Sequence, residues 1–200
     1  MGRKSLANER RIQIAKALNL CISKYGLQKS TIKKIAEEAG VQPGILHHYF
    51  TNRDEIIGEM VETVVNEISD RYTAEINRHK NPKARFDRAV DFLFGPNVTA
   101  DENTAFFYDC YAEGRRNEKV RRSLIKLYQR YRGLLIELLT ETGKSAGLTA
   151  AQTKDLATLI VSIQEGVSLQ WDMDSANVNL KKMCRMTKRL IDLYVEDIAQ

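Results

Sequence analysis

The stretch TIKKIAEEAGVQPGILHHYF, from Thr31 to Phe50, decides the fold of the N-terminal part of the chain. Its first half carries four apolar residues at the spacing of one helix face: Ile32, Ile35, Ala36 and Ala39. Gly40 can adopt a positive φ and end that helix, and Pro43 is favoured at the first position of the next helix. In the second helix Leu46 and Phe50 are spaced i, i+4, so both can pack back on the first helix.

The other side chains of the second helix face away from this contact. They are small, polar or aromatic: Gln42, Gly44, Ile45, His47, His48 and Tyr49. Two short helices around a tight glycine turn, with such an outer face on the second helix, predict a helix-turn-helix.

With residues 51–55 added, the stretch resembles the DNA-binding signature of the TetR family of bacterial transcriptional regulators. That pattern runs Ala-x-x-Ala-Gly-Val, then a short helix ending in Leu-Tyr-Tyr-Tyr/His-Phe, then Lys with Glu or Asp. Here the triplet reads His47-His48-Tyr49, and Arg53 stands where Lys is usual. Both departures bear on the operator sequence. The resemblance covers about the first quarter of the chain, and beyond it only helix layout and length are similar.

The resemblance implies that the start and outer face of the second helix read bases, while the aromatic positions, Thr31 and Arg53 hold phosphates. Within the triplet, His47 can donate or accept at base edges, whereas His48 and Tyr49 are expected along a phosphate strand. An α-helix fits the major groove, where each base pair presents its own donor and acceptor pattern. The predicted DNA contacts are Thr31, Lys33, Gln42, Pro43, Gly44, Ile45, His47, His48, Tyr49 and Arg53. Adjacent helical residues diverge by about 100°, so the two histidines are poorly placed to share a metal ion. No metal or cofactor is predicted.

The positive charge is concentrated at the N-terminal end of the chain. The net charge is +5 overall, but residues 1–53 hold ten Lys or Arg against three acidic residues, a net +7. The remainder is therefore −2. A basic end on a nearly neutral body is typical of proteins that bind nucleic acid.

Composition indicates an ordinary globular protein of one or two domains, with 43% hydrophobic and 28% charged residues. No apolar run approaches the roughly 20 residues that span a bilayer, so no membrane partner is predicted. Three widely separated cysteines without a CxxC pair indicate buried thiols and a cytoplasmic location: Cys21, Cys110 and Cys184.

Apolar periodicity and helix-end signals predict an all-α fold of about nine helices, without strands or repeats. The first runs from Asn8 to Tyr25 on a stripe of Ile12, Ala15, Leu18, Ile22 and Tyr25, ahead of the two helices of the motif. The later six are expected at 52–78, 81–95, 101–114, 117–142, 149–172 and 177–200. We predict a three-helix DNA-binding domain at 1–53. Residues 54–200 form the second domain, for which the resemblance implies ligand binding and dimerisation.

Seven of the chain's aromatic residues fall within 26 positions: Phe86, Phe92, Phe94, Phe106, Phe107, Tyr108 and Tyr111. Aromatic lining with a few polar groups is typical of small-molecule sites, although each ring can equally be plain core. The resemblance implies an effector pocket among the helices that follow the fourth. The candidate pocket residues are Phe107, Tyr111, Tyr128 and Trp171, with Glu113, Gln164 or Asp172 as polar anchors.

Two apolar helices end the chain, and they either complete a monomer core or form half of an intermolecular four-helix bundle. Gly166 lowers helix stability by about 1 kcal/mol relative to Ala, which close approach of another helix or a kink would explain. The resemblance favours a homodimer, and a two-fold axis would place two recognition helices about one DNA turn apart. The predicted interface comprises Leu159, Ile163, Gly166, Val167, Met183, Thr187, Leu190 and Tyr194.

The sequence contains no GxSxG, P-loop, GxGxxG, HExxH or CxxC pattern, so no enzyme activity is predicted. We predict a ligand-responsive transcriptional regulator, a repressor that binds a palindromic operator as a homodimer and is released by a small-molecule effector. One alternative is a DNA-associated nucleoid factor of the same fold without effector control. Another is a helical ligand- or partner-binding module whose basic end meets a membrane or an acidic protein.

Overall fold

The computed structural model describes residues 3–95 and 103–198, and for residues 3–5 and 103–107 it describes the backbone alone. Within these ranges the chain has nine α-helices, a short 3₁₀ turn at Leu27–Lys29 and no strand, which confirms the predicted all-α class. The helices are α1 Arg3–Tyr25, α2 Ile32–Glu38, α3 Pro43–Tyr49, α4 Arg53–Asn77, α5 Pro82–Leu93, α6 Asn103–Gly114, α7 Glu118–Glu141, α8 Ala150–Met173 and α9 Leu180–Ile198.

The turn between α2 and α3 forms as the sequence predicts. The Thr31 hydroxyl accepts the Lys34 backbone N–H at 3.4 Å and caps the start of α2. Gly40 follows α2 with φ +66, a conformation that strongly favours glycine. Pro43 is the first residue of α3, where its missing N–H leaves no helical hydrogen bond unmade.

Asparagine side chains decide where four other helices begin. In each case Oδ1 accepts a backbone N–H of the first turn: Asn52 for α4, Asn81 for α5, Asn117 for α7 and Asn179 for α9. Helix α9 therefore begins at Leu180 rather than at the predicted residue 177. Helix α1 begins at Arg3, before the predicted Asn8.

The chain divides into two compact units that differ from the predicted domains. Unit 1 takes in the chain up to Ile68 together with Ala105–Leu127, and unit 2 takes in Ser69–Thr104 and the chain from Tyr128 onward. Helices α4 and α7 each contribute to both units. The functional boundary between residues 53 and 54 stays a prediction.

The core of unit 1 is built on α1 and α4. On α4 the buried apolar stripe includes Ile56, Met60, Val64 and Ile68. On α1 the stripe is buried at Ala15, Leu18 and Ile22, but Tyr25 is 45% exposed and its ring lies under the Lys34 ammonium at 4.0 Å. The prediction of Tyr25 as core is therefore wrong, because its ring lies against the Lys34 side chain of α2 and not in the core.

The core of unit 2 joins the last part of α4, the second part of α7 and α5, α8 and α9. Its most enclosed large side chains include Tyr72, Ile76, Phe86, Leu93 and Leu135. No helix in the described ranges is long and apolar enough to cross a membrane.

Candidate nucleic-acid interface and effector site

Helix α3 is amphipathic over only seven residues. Leu46 and Phe50 are 1% and 2% exposed, so they fix the inner side of the helix, as the sequence predicts. The opposite side is exposed: Gln42, Pro43, Gly44, Ile45, His47 and His48. Tyr49 is half-buried, with its ring edge-on to His48 at a centroid distance of 5.1 Å. The surface that a major groove would meet is therefore small, polar and unobstructed.

The neighbouring helix α2 exposes two further predicted contacts, Thr31 and Lys33. The hydroxyl of Thr31 already serves as a helix cap, which leaves it able to donate its proton. Lys24 pairs with Glu38 across α1 and α2 at 2.7 Å, so that part of the basic surface is neutralised. Lys33, by contrast, is exposed at the start of α2.

Arg53 has a structural role that the sequence did not reveal. Its Nε donates to the Ser30 carbonyl at 2.9 Å, and Nη2 donates to the Leu27 carbonyl. These carbonyls belong to the turn before α2, so Arg53 ties the start of α4 to the start of the motif. A guanidinium has five N–H donors, so Arg53 has further N–H groups beyond the two used here. Its contact with a DNA phosphate stays a prediction.

Arg11 on α1 performs the corresponding task at the far end of α3. Its Nη1 donates to the Tyr49 carbonyl, and its guanidinium lies 4.2 Å from the centroid of the Phe50 ring. The last carbonyls of a helix have no partner within the helix, so a cation there is favourable. Sequence reasoning missed this residue because the two partners are 38 positions apart.

Aromatic rings and buried polar atoms come together in unit 2. The Tyr72 ring lies 5.1 Å from that of Tyr131 and 5.2 Å from that of Phe92. The Tyr72 hydroxyl is buried without a hydrogen-bond partner in the described structure. Tyr72 and Tyr131 also lie in the wall of a cleft of about 340 Å³. Its other lining residues are Ser69, Asp70, Thr73, Arg130, Leu134 and Glu137.

A half-buried carboxylate, Glu165 on α8, lies near Tyr128 and Tyr131. The Tyr128 hydroxyl donates a hydrogen bond to it. Burial raises the pKa of Glu165, and the hydrogen bond from Tyr128 offsets part of that rise. Burial likewise raises the pKa of Tyr131, and the charge of Glu165 raises it further. Sequence reasoning missed Glu165, since its aromatic partners come from α7.

The predicted pocket residues fall in both units. Tyr128, Gln164 and Trp171 belong to unit 2, whereas Tyr111 and Glu113 belong to unit 1. Gln164 is 2% exposed, and its Nε2 donates to the Ser168 hydroxyl at 2.7 Å while its Oε1 is buried without a partner in the described structure.

The other candidate pocket residues have less support from the structure. Trp171 is half-buried and Asp172 is exposed, while Glu113 pairs with Arg116 at 3.8 Å. The side chain of Phe107 lies outside the described residues. All seven candidate pocket residues stay predictions.

Helices α8 and α9 of unit 2 expose large apolar side chains. Among the predicted interface residues, Leu159, Leu190 and Tyr194 are 54%, 55% and 38% exposed. Ile163, Gly166 and Met183 are half-buried, whereas Val167 and Thr187 are buried within the chain itself. Further exposed residues were not predicted: Leu169, Met173, Met186 and Leu193. The open side of α9 therefore includes the predicted Leu190 and Tyr194 together with Met186 and Leu193, but not Thr187.

The described residues contain no cluster of three side chains able to hold a metal ion. Cys21, Cys110 and Cys184 are buried, as predicted. Burial raises the pKa of the Cys184 thiol to about 12, and its hydrogen bond to Asp91 adds to the rise. These thiols are therefore protonated at neutral pH, which makes them poor nucleophiles.

The basic helix-turn-helix and the helical second unit define the class, a helix-turn-helix DNA-binding protein. Residues 14–60 match the family model of bacterial regulatory proteins of the tetR family. Residues 82–196 match the model of the C-terminal part of BetI-type transcriptional repressors. The chain belongs to the TetR family of bacterial transcriptional regulators, and the relatives that it matches are regulators.

Individual relatives agree with this assignment. The HTH-type transcriptional regulator BetI of Rhizobium meliloti is 23% identical over 93% of this chain and 89% of the relative. The nicotine-responsive transcriptional repressor HdnoR of Paenarthrobacter nicotinovorans is 22% identical over 96% of both chains. A transcriptional regulator from Saccharomonospora viridis, solved in complex with choline, aligns with a TM-score of 0.76 at 20% identity. It covers 92% of this chain and 96% of its own, and this likeness shows the fold.

The two roles assigned to the outer side of α3 can be separated by single substitutions. Replacement His47→Ala is expected to reduce discrimination at one base position by roughly fivefold or more, because the exposed imidazole is predicted to read a base edge. Replacement Tyr49→Ala is expected to weaken binding to every sequence by a similar factor, because a phosphate contact carries no sequence information. Binding of each variant to a panel of single-base operator variants measures both effects. The reverse pattern would overturn the assignment.

Proposed function

We propose that the protein is a repressor that binds a palindromic operator as a homodimer and that a small-molecule effector releases it. The observation that carries the proposal is the exposed outer side of α3, mounted on a unit whose first 53 residues have a net charge of +7. A helix of this size with polar and small side chains fits the major groove. The surrounding charge supplies attraction to phosphates.

The exposed apolar sides of α8 and α9 support the homodimer. Monomeric proteins rarely leave large adjoining apolar residues in water, and Leu159, Leu190 and Tyr194 are all exposed here. A Cβ added at Gly166 would meet nothing within 4 Å in this chain. Gly166 therefore leaves room for a helix of a second copy. A two-fold interface of this kind presents one recognition helix to each half of a palindrome.

The aromatic and acidic groups of unit 2 support an organic cation as the effector. Glu165 offers a half-buried carboxylate, and the rings of Tyr128 and Tyr131 offer negative faces. A cation over aromatic rings is stabilised by about 0.5–2 kcal/mol, more when water is excluded. The choline complex of the Saccharomonospora regulator and the nicotine response of HdnoR are consistent with an amine or ammonium ligand.

Release requires that the effector bind the non-operator state better than the operator-bound state. The first experiment therefore selects duplexes from a random-sequence library and titrates the selected duplex with protein by fluorescence anisotropy. Choline, nicotine and stearoyl-CoA are then added separately. The proposal predicts an inverted repeat in the selected duplexes and release by choline or nicotine.

Each other outcome has a defined meaning. Release by stearoyl-CoA alone would reject the proposal that the effector is an organic cation, but it would support the proposal that the protein is a repressor released by an effector. Selection of an inverted repeat with no effector dependence would favour the nucleoid factor. Equal and weak binding to selected and scrambled duplexes, with only a steep salt dependence, would favour the partner-binding module and reject a specific regulator.

Replacement Glu165→Gln is expected to weaken choline binding by about tenfold or more, since it removes the charge while keeping the shape. In the unchanged protein, choline affinity should fall as pH falls through the raised pKa of Glu165, because the cation binds the carboxylate form. Calorimetry at several pH values measures both effects. Asp155→Asn, an exposed carboxylate on the same helix, is the matched control. Equal affinity of the Glu165→Gln variant would reject this site.

A further inference from the structure

Within unit 1, the first turn of α7 lies against the first turns of α4. Asn117 caps α7 by accepting the backbone N–H groups of Lys119 and Val120 at 3.1 and 3.2 Å. Its Nδ2 donates to the Asp54 carbonyl of α4 at 3.1 Å. The residue that starts α7 therefore also fixes α7 to α4.

Gly58 of α4 lies directly against the side chain of Lys119 on α7. A Cβ added there would lie 2.4 Å from Cδ and 2.6 Å from Cγ of Lys119. Atoms in proteins do not approach so closely, so the stem of Lys119 occupies the space that any other residue would need. Glycine inside a helix lowers its stability by about 1 kcal/mol relative to alanine. This penalty is accepted at the position where the Lys119 stem crosses α4.

The stem directs the Lys119 ammonium to Glu59, whose Oε2 it reaches at 3.2 Å. The same oxygen accepts hydrogen bonds from Nη2 and Nε of Arg11 at 2.7 and 3.2 Å. Glu55 pairs with Arg11 Nη2 at 3.0 Å. Burial opposes the charged form of Glu59, but Arg11 and Lys119 outweigh it and lower its pKa. We call Arg11, Glu55, Glu59 and Lys119 the Glu59 network.

The Glu59 network ends at the recognition helix. Arg11 donates to the Tyr49 carbonyl, at the last residue of α3, and lies over the Phe50 ring. The chain of contacts therefore runs from Lys119 on α7 through Glu59 on α4 and Arg11 on α1 to the carbonyl end of α3.

We propose that Lys119 is a positioning residue for the recognition helix, which it holds in the DNA-binding orientation through Glu59 and Arg11. Displacement of the first turn of α7 from Gly58 frees Glu59 from Lys119 and loosens the hold of Arg11 on the end of α3. The inference rests on the proposed function, because it names the contact through which operator affinity is regulated. Helix α7 continues to Tyr128, the residue that donates to Glu165.

The test compares Lys119→Met with Lys126→Met. Lys126 is the matched control, because it lies on the same helix and pairs with Glu62 of α4 at 3.5 Å, but Glu62 does not contact Arg11 among the described residues. Lys119→Met should weaken binding to a selected operator roughly tenfold, the scale of single residues that couple sites. Binding to scrambled duplex should change little. Lys126→Met should leave both affinities within about twofold.

Two further variants separate positioning from a structural defect. Lys119→Arg keeps the charge and should restore most of the operator affinity. Gly58→Ala should reproduce the loss seen for Lys119→Met, because the added methyl displaces the Lys119 stem. Combining Gly58→Ala with Lys119→Ala should then add no further loss beyond Lys119→Ala alone. Loss of operator and scrambled binding in parallel, or equal loss for Lys126→Met, would reject the positioning role.

Amide hydrogen exchange of residues 46–50 without DNA distinguishes failure of the inference from failure of the proposed function. Lys119→Met should accelerate exchange at the end of α3 relative to Lys126→Met. If the unchanged protein shows no operator preference while exchange accelerates as expected, the regulator assignment fails and the contact chain stands. If exchange in Lys119→Met is unaltered, the inference is overturned, whatever the operator affinity of the variant.

Discussion

Replacing Leu159 and Leu190 together by glutamate is expected to leave the protein monomeric and to weaken operator binding by about 100-fold or more. Both leucines are more than half exposed on the apolar sides of α8 and α9. Two carboxylates introduced into each copy would have to be buried unpaired in a two-fold interface, which is strongly unfavourable. Each recognition helix would then bind its half-site alone, without the gain from a linked second contact.

Analytical ultracentrifugation and operator titration measure this prediction together. The control is Ile125→Glu, which changes an apolar residue that is 40% exposed on α7 rather than on one of the two terminal helices. The control should stay dimeric and keep its operator affinity. A double variant that remains dimeric, or a monomer that binds the operator as tightly as before, would contradict the assigned interface.

Replacement Leu46→Ala is expected to lower the free energy of unfolding by about 2–5 kcal/mol, the usual range for a leucine enclosed in a core. Leu46 is 1% exposed and is the main inward anchor of a seven-residue helix that has little stability of its own. The adjacent Ile45 is 41% exposed. Replacement Ile45→Ala should therefore change the unfolding free energy by no more than about 0.5 kcal/mol.

For DNA affinity, measured on folded protein, Ile45→Ala should have a larger effect than Leu46→Ala. At a temperature where both variants are folded, Ile45→Ala should weaken binding at a thymine position by removing contact with the base methyl group. Urea unfolding followed by circular dichroism gives the stabilities, and anisotropy gives the affinities. A stable Leu46→Ala variant beside a destabilised Ile45→Ala variant would mean that Ile45, and not Leu46, faces the core.

The helix-turn-helix could be predicted because its signals are local. Gly40, Pro43 and the i, i+4 pair Leu46 and Phe50 act within a few residues of one another, and each behaves as expected. The fold class was equally accessible, since long apolar stripes with recognisable caps leave little choice of secondary structure.

The contacts that hold the motif in place could not be predicted in the same way. Arg53 donates to carbonyls 23 and 26 positions away, and Arg11 meets groups 38 to 48 positions away. A charged residue at such a separation looks like any solvated charge until the fold brings its partner near. Sequence therefore assigned Arg53 to phosphate alone and passed over Arg11 and Glu59.

The predicted interface residues of α9 show a third limit of sequence reasoning. Helical periodicity identifies an apolar stripe, but a wide stripe contains both the side that packs within the chain and the side left open. Thr187 was placed at the interface, yet it is 2% exposed, whereas its neighbour Met186 is 50% exposed. A shift of one position turns a side chain by about 100°, which only the packed structure can decide.

The central claim is sequence-specific DNA binding by a pair of α3 helices. It is tested most directly by titrating the protein into a selected operator duplex and a scrambled duplex of equal length over a range of salt concentrations. We expect two protomers to bind each operator, with an affinity at least about 10³-fold higher for the operator than for the scrambled duplex. Equal affinities for the two duplexes, falling with the same slope as salt increases, would contradict it.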